Sequence, residues 1–247
     1  MLRLLGLNTT PEHHAAFFRD GLRGLPAAPR VLISGTADYS LLARLLPAFE
    51  ERGMRPHFTV VDRCETALML NRWYAQRAGL EIATARSDAL EHAAAPGFDL
   101  ICTHSFLGQF DAARRAQLLA AWHRMLRPDG LLLTINRLRP DAAPDWLGYT
   151  AQQAEKLSQN VRQGAGEVAG LVGATADELA AAALRYARHM GAWPVRSEDE
   201  IRSLCEASGF RVEHLASQPV VLAAGKEISG PTMPGGAPYA HLAARRP

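Results

Sequence analysis

Residues 31–46 read VLISGTADYSLLARLL, and this stretch decides the fold. Val31–Ser34 is a short continuous run of apolar and small residues, the pattern of a strand covered on both faces. Gly35 breaks the run, a polar turn follows, and from Ser40 the chain takes a helical pattern. A buried strand feeding a tight turn and then a helix opens a nucleotide-binding βαβ unit. Such a turn uses small residues because a ligand must come close to its backbone, and Gly35 is the first of them. A strict dinucleotide fingerprint has three glycines. The segment Gly35-Thr36-Ala37-Asp38-Tyr39 keeps one glycine and one alanine, so by itself it fits an ordinary strand-to-helix turn equally well.

Working outward, HFTVVD predicts a second strand over His57–Val61 that closes on Asp62, and a helix from Glu65 to about Ala78, stopped by Gly79. EIATAR alternates as a half-exposed third strand and ends at Ser87-Asp88-Ala89. FDLICTH gives a fourth strand with His104 at its carboxyl end. Asp111 caps the next helix, Arg127-Pro128-Asp129-Gly130 is a turn by composition, and a fifth, strongly apolar strand starts at Leu131. Strands that alternate with helices predict an α/β chain with a mainly parallel sheet, a three-layer Rossmann-like sandwich.

From Pro140 to Pro194 no strand is visible, and Ala-rich helices are expected around Thr150–Gln163 and Thr175–Met190. Ser197 with Glu200 three residues on has the spacing of a capping box, and a helix, then a strand over Phe210–Leu215, should follow. Val220–Ala224 is expected as the last strand, with Gly225–Pro247 an irregular Gly- and Pro-rich tail. The expected organisation is an N-terminal helical segment (1–29), a cofactor-binding core (30–139), a helical insertion (140–194), and completion of the sheet with the tail (195–247). The insertion would cover the ligand edge or form a homodimer face.

Composition excludes several classes. At 247 residues and 48% hydrophobic, the chain can bury a substantial core. A net charge of +2, with no basic stripe interleaved with aromatics, gives no case for nucleic acid or a membrane surface. Cys64, Cys102 and Cys205 form no CxxC pair, so neither a metal knuckle nor a disulfide framework is implied, and no metal is expected. No stretch approaches a membrane span or a signal peptide, and a cytoplasmic protein is expected.

Ligands of open parallel sheets bind beyond the carboxyl ends of the strands. Gly35–Tyr39, Asp62, Asp88 and His104 all fall there. A carboxylate at the end of strand two can accept hydrogen bonds from both ribose hydroxyls, and it can also cap the next helix; Asp62 is suited to both. Asp88 is equally a turn residue or a ligand contact.

The order VLISGTADYS, VVDRC, SDAL, FDLICTHSFLGQF and LRPDGLLLTINRL resembles the class I S-adenosylmethionine-dependent methyltransferases. LRPDG before an apolar strand is the most specific piece, against the family's LxPGGxL. The resemblance spans Arg30–Arg137, and SEDEIRSLCEASGFRVEHL matches the family's late helix and strand. It implies an antiparallel last strand and S-adenosylmethionine as cofactor. Gly35, Thr36 and Ala37, with Tyr39, would lie against the methionine and ribose. Asp62 would hold the ribose and Arg63 would lie beside the adenine. Asp88 and Ala89 would meet the adenine edge, with His104, Ser105 and Phe106 near the sulfonium. The acidic residue usual two positions before the first glycine is Ile33 here, and Asp38 is a candidate replacement for it.

Methyl transfer to a small-molecule acceptor is the reading this resemblance implies. His104 is the candidate base, because imidazole titrates near neutrality. His14 and Phe17 from the N-terminal helix, and Tyr149, Tyr186 and His189 from the insertion, are candidate acceptor contacts, although core packing accounts for Tyr186 and His189 as well. A cofactor-binding protein of the same fold without turnover is the alternative. A nicotinamide-dependent oxidoreductase is weaker still, because GxGxxG is absent.

Overall fold

The computed structural model describes residues 2, 5, 11–92, 97–143, 145–219 and 238–247. A 3-10 turn over Pro11–His14 runs into α1 (Ala15–Gly21). Then follow β1 (Arg30–Ser34), α2 (Ser40–Glu50), β2 (His57–Asp62), α3 (Glu65–Arg77), β3 (Ile82–Arg86), β4 (Phe98–His104), α4 (Ala112–Met125) and β5 (Leu126–Arg137). The two-residue strands β6 (Leu147–Gly148) and β7 (Gly191–Ala192) bracket α5 (Ala151–Val172) and α6 (Ala176–His189). The chain closes with α7 (Glu198–Ala207), β8 (Arg211–Pro219) and β9 (Pro238–Arg245).

The sheet has seven strands in the order β3-β2-β1-β4-β5-β9-β8. The first five are parallel, and β9 runs antiparallel to both β5 and β8. This is the mainly parallel Rossmann-like sandwich with an antiparallel last strand that the sequence predicts. The order reverses between β1 and β4, so a crevice opens at their carboxyl ends.

Burial explains why the short apolar runs become strands. Val31, Ile33, Leu100, Cys102, Leu133 and Ile135 pack on one face with Phe18, Leu42, Leu45 and Phe49 of α1 and α2. Leu32, Ile101 and Leu132 pack on the other with Leu118, Trp122, Ile201 and Cys205 of α4 and α7. Each such buried side chain is worth roughly 1.5–3 kcal/mol against exposure, so a strand with both faces covered needs no polar alternation. Trp122 is fully buried, and its indole N–H donates to the Ser34 hydroxyl at 2.9 Å.

Four expectations need correction. The last strand comes from Pro238–Arg245, inside the stretch expected to be an irregular tail, whereas Val220–Ala224 lies outside the described residues. The LRPDG turn lies within β5, where the pairing with β4 slips between Phe98 and Leu100 and Asp129 takes a left-handed φ of 61°. The insertion contains the small β6–β7 ladder. Ser197 accepts from the Glu200 N–H at 3.1 Å, but the Glu200 carboxylate does not close a box: it accepts from the Arg196 N–H and binds Arg115. The full capping box is at Thr175 and Glu178, where α6 begins.

Helices α5 and α6 have an apolar cluster of their own, with Leu157, Val161, Ala165, Leu179, Ala183 and Leu5. The insertion is therefore a packed helical hairpin rather than a loop.

Candidate functional site

The glycine turn is held from two sides. Gly35 is buried at φ 72°, and its N–H donates to the Val61 carbonyl at 2.9 Å. The Thr36 N–H donates to one carboxylate oxygen of Asp62 at 2.8 Å, and the Cys64 N–H donates to the other at 2.7 Å. Asp62 thus ties the β1 turn to the start of α3. A carboxylate has about four acceptor lone pairs, so two backbone bonds leave capacity for two ribose hydroxyls. The turn residues therefore fit a nucleoside at this strand end.

Tyr39 does not enter the crevice. Its ring stacks on Tyr74 at 5.1 Å with the planes 2° apart, and it lies 5.5 Å from Trp73. Bulk at this position is thereby turned sideways onto α3. The Asp38 carboxylate accepts the Ser40 N–H at 2.8 Å, an Asx-turn bond just ahead of α2. The Asp38 carbonyl takes the Thr36 hydroxyl and the Asn71 amide, the latter at 3.2 Å. Buried Asn71 also donates to the Ala67 carbonyl at 2.9 Å, so α3 clamps the turn.

At the end of β3, Asp88 accepts from the Leu90 N–H at 3.0 Å and lies 3.6 Å from the exposed Arg63 guanidinium. Ala89 is buried under that turn. Ala37 is exposed at the lip of the glycine turn. Phe106 packs edge-on against Phe110 at 5.0 Å, and its ring lies where a Cβ on Gly35 would have to go. Ser105 before it has a left-handed φ of 55°, and its N–H bonds the Ile135 carbonyl at 2.7 Å.

Beyond β4 the structure gathers a cluster of imidazoles. His104 lies on the α1-facing side of the sheet, with His14 at 5.4 Å and Tyr239 at 6.5 Å between ring centres. His14 Nδ1 is 2.9 Å from His241 Nε2, so one ring donates and the other accepts. Phe17 stacks on His241 at 4.8 Å. Burial, with His104, His241 and His13 as neighbouring charges, lowers the His14 pKa from its ordinary 6.5 to about 3. Burial also lowers that of His241, helped by His214. Both rings are therefore neutral near pH 7.

Tyr149 and Tyr186 of the helical hairpin lie 6.4 Å apart, edge to face. Both act electrostatically on Arg137 at the end of β5, as does Tyr239, its register partner on β9. His189 is elsewhere: it is exposed, with Nδ1 2.7 Å from the Arg185 carbonyl of its own helix. Sequence reasoning missed Tyr239, His241, Arg137 and Arg139. Alternation in PYAHLAAR was the available signal for the first two, with Tyr239, His241 and Ala243 on one face of β9 and Ala240, Leu242 and Ala244 on the other.

Among the described residues no group of three or more His, Cys, Asp or Glu side chains could hold a metal ion. No helix among them is long and apolar enough to cross a membrane.

Residues 41–130 match the family model described as a methyltransferase domain. No curated protein matches the chain. Among solved structures it is similar to a S-adenosylmethionine-dependent methyltransferase from Methanosarcina mazei (TM-score 0.56, 14% identity, 97% of this chain and 99% of that one). It is also similar to a geranyl diphosphate methyltransferase in complex with S-adenosylmethionine (TM-score 0.61, 10% identity, 95% and 84%). A third similar chain is described as a possible exported protein from Bordetella parapertussis (TM-score 0.58, 19% identity, 96% and 68%). At such identities the likeness is one of fold. The chain thus carries a methyltransferase-domain match within the class I Rossmann-like fold of S-adenosylmethionine-dependent methyltransferases.

Proposed function

We propose that the protein transfers a methyl group from S-adenosylmethionine to a small-molecule acceptor held between the strand ends of the sheet and the helical hairpin of residues 140–194. The observation that carries this reading is the double grip of Asp62 on the Thr36 and Cys64 N–H groups. It presents a glycine turn and an acceptor-rich carboxylate together, inside a stretch that matches a methyltransferase domain.

In this reading Asp62 takes the ribose hydroxyls, Asp88 and Ala89 border the adenine with Arg63 outside them, and Gly35, Thr36 and Ala37 border the rest of the cofactor. When bound, S-adenosylmethionine supplies a methyl group on a sulfonium, whose departure leaves a neutral thioether. The chain's own task is then to align the acceptor and exclude water. His104 takes the acceptor's proton where the acceptor is protonated. His14 and His241, both neutral, hold the neighbouring wall in a fixed tautomer pair.

A second reading, cofactor binding without turnover, is favoured by Phe106, whose ring lies against the bare face of Gly35. Calorimetric titration with S-adenosylmethionine and S-adenosylhomocysteine, with NAD as control, tests the site. Saturable binding of the first two and not of NAD is expected. No binding of either would overturn both readings, and binding without turnover across a panel of small acceptors would leave the second.

A further inference from the structure

Three arginines are drawn into the protein around the end of β5, and they are treated differently. Arg115 on α4 has its side chain almost wholly buried, and each of its three guanidinium nitrogens has a partner. Its Nη1 bonds Glu200 at 2.6 Å, and its other nitrogens donate to the carbonyls of Leu107, Trp193 and Pro194 at 2.7–3.1 Å. That is what a buried guanidinium requires: a countercharge and a partner on every nitrogen.

Arg137 and Arg139 have neither. Nε and Nη2 of Arg137, and Nε of Arg139, are buried without a hydrogen-bond partner, and no ion pair to either residue occurs among the described residues. Burial pushes the Arg137 pKa below its ordinary value, and the groups that oppose this are only phenols, those of Tyr239, Tyr149 and Tyr186, which are uncharged near neutrality. Burial, and then the neighbouring charges of Arg137 and Arg115, lower the Arg139 pKa to about 10, so it still carries its charge near neutrality. Each residue as a whole keeps part of its surface exposed, while those three nitrogens are themselves closed off from solvent.

Position gives the pair a meaning. Arg137 follows Ile135 on the face of β5 that carries His104 and Tyr239, and its Cα is in register with Tyr239. Arg139 is fixed by its N–H to the Val195 carbonyl at 2.8 Å, and its head lies 4.0 Å from where a Cβ on Gly108 would stand. Two positive charges with unused donors therefore stand beside the imidazole cluster, under the tyrosines of the helical hairpin.

We propose that Arg137 and Arg139 form an oxyanion-binding subsite, so that the small molecule taken here carries a carboxylate or a phosphate group. Guanidinium donors bind either group in a bidentate manner. If the methyl-transfer reading holds, on which this assignment of substrate class rests, the subsite anchors the acceptor's anionic end and turns its nucleophile toward His104.

The test measures anion binding by itself. Inorganic phosphate and benzoate are titrated into the wild type, Arg137→Met and Arg139→Met, and S-adenosylhomocysteine is titrated separately. Saturable binding of at least one anion, weakened tenfold or more in each variant, is expected; which anion binds tells carboxylate from phosphate. No anion binding, or equal binding in wild type and variants, overturns the subsite even if S-adenosylhomocysteine binds. Anion binding with no S-adenosylhomocysteine binding keeps the subsite and removes the methyl-transfer reading. Thermal unfolding separates a binding role from a structural one. Replacing an uncompensated buried charge by Met should raise Tm by about 2–4 °C. A fall in Tm as large as that of Arg115→Met would mean that the pair supports the fold, and would overturn the proposal.

Discussion

His14 Nδ1 and His241 Nε2 stand 2.9 Å apart across 227 residues of chain, joining the first helical turn to the last strand. The contact needs at least one ring neutral, because one nitrogen must accept, and it is lost when both rings carry a proton on each nitrogen. It therefore couples the closure of the N-terminal segment over the strand ends to pH.

The sign follows from the protons bound. Folded His14 stays neutral down to about pH 3, whereas in the unfolded chain it takes a proton at its ordinary pKa of 6.5. Below 6.5 the unfolded state binds more protons, so stability falls as pH drops, with a limiting slope of about 1.4 kcal/mol per pH unit. Burial lowers the pKa values of His241 and His123 too, and both act in the same direction. Urea unfolding at pH 7 and pH 5 checks this. The wild type should lose about 1–2 kcal/mol more than His14→Phe over that interval, and parallel losses in the two proteins would remove His14 from the account.

Gly35 carries two constraints at once. Its φ of 72° suits glycine, and a methyl group there would collide with the Phe106 ring. Gly35→Ala should therefore weaken S-adenosylhomocysteine binding at least tenfold and lower Tm. Adding Phe106→Ala should restore part of the loss, the remainder being the left-handed backbone, roughly 1–2 kcal/mol for an L residue. No restoration would mean that the ring is not the obstacle.

The site was legible in the sequence wherever one contiguous run announced it. Val31–Ser34 into Gly35, His57–Asp62 and Phe98–His104 each end an apolar run at a small or polar residue, so the strand ends could be read directly. The rest depended on pairing across long separations. Tyr239 and His241 lie in a strand whose outer neighbours are alanines, after a Gly- and Pro-rich stretch that reads as loop. Arg137 and Arg139 close an apolar strand and look like solvated ends. Only the β5–β9 register and the cover of the helical hairpin make them interior. Glu200 shows the same limit: it has capping-box spacing, but buried Arg115 draws its carboxylate away.

The Ser34 hydroxyl supplies the partner for the indole N–H of Trp122 at 2.9 Å. Ser34→Ala leaves that donor buried and unpaired, which costs about 1–3 kcal/mol. Tm should fall, and the fall should be smaller when Trp122→Phe is already present, because the orphaned donor is then gone. A double-mutant cycle by thermal unfolding reads this coupling, and strict additivity would deny the bond its energetic role.

Asp62 separates structure from function. Each of its oxygens accepts a backbone N–H, from Thr36 and from Cys64. Asp62→Asn keeps the shape but turns an amide donor toward one of those N–H groups, so one bond becomes a donor–donor repulsion. The ligand-free protein should lose about 1–3 kcal/mol, read as a lower Tm. Binding of S-adenosylhomocysteine should weaken by more than stability alone explains, because a ribose hydroxyl then meets a donor in place of an acceptor. Glu50→Gln, on the far end of α2, serves as a charge-matched control and should change neither quantity. If Asp62→Asn lowers Tm yet binds S-adenosylhomocysteine as tightly as the wild type, Asp62 is a clamp for the glycine turn and not a ribose ligand.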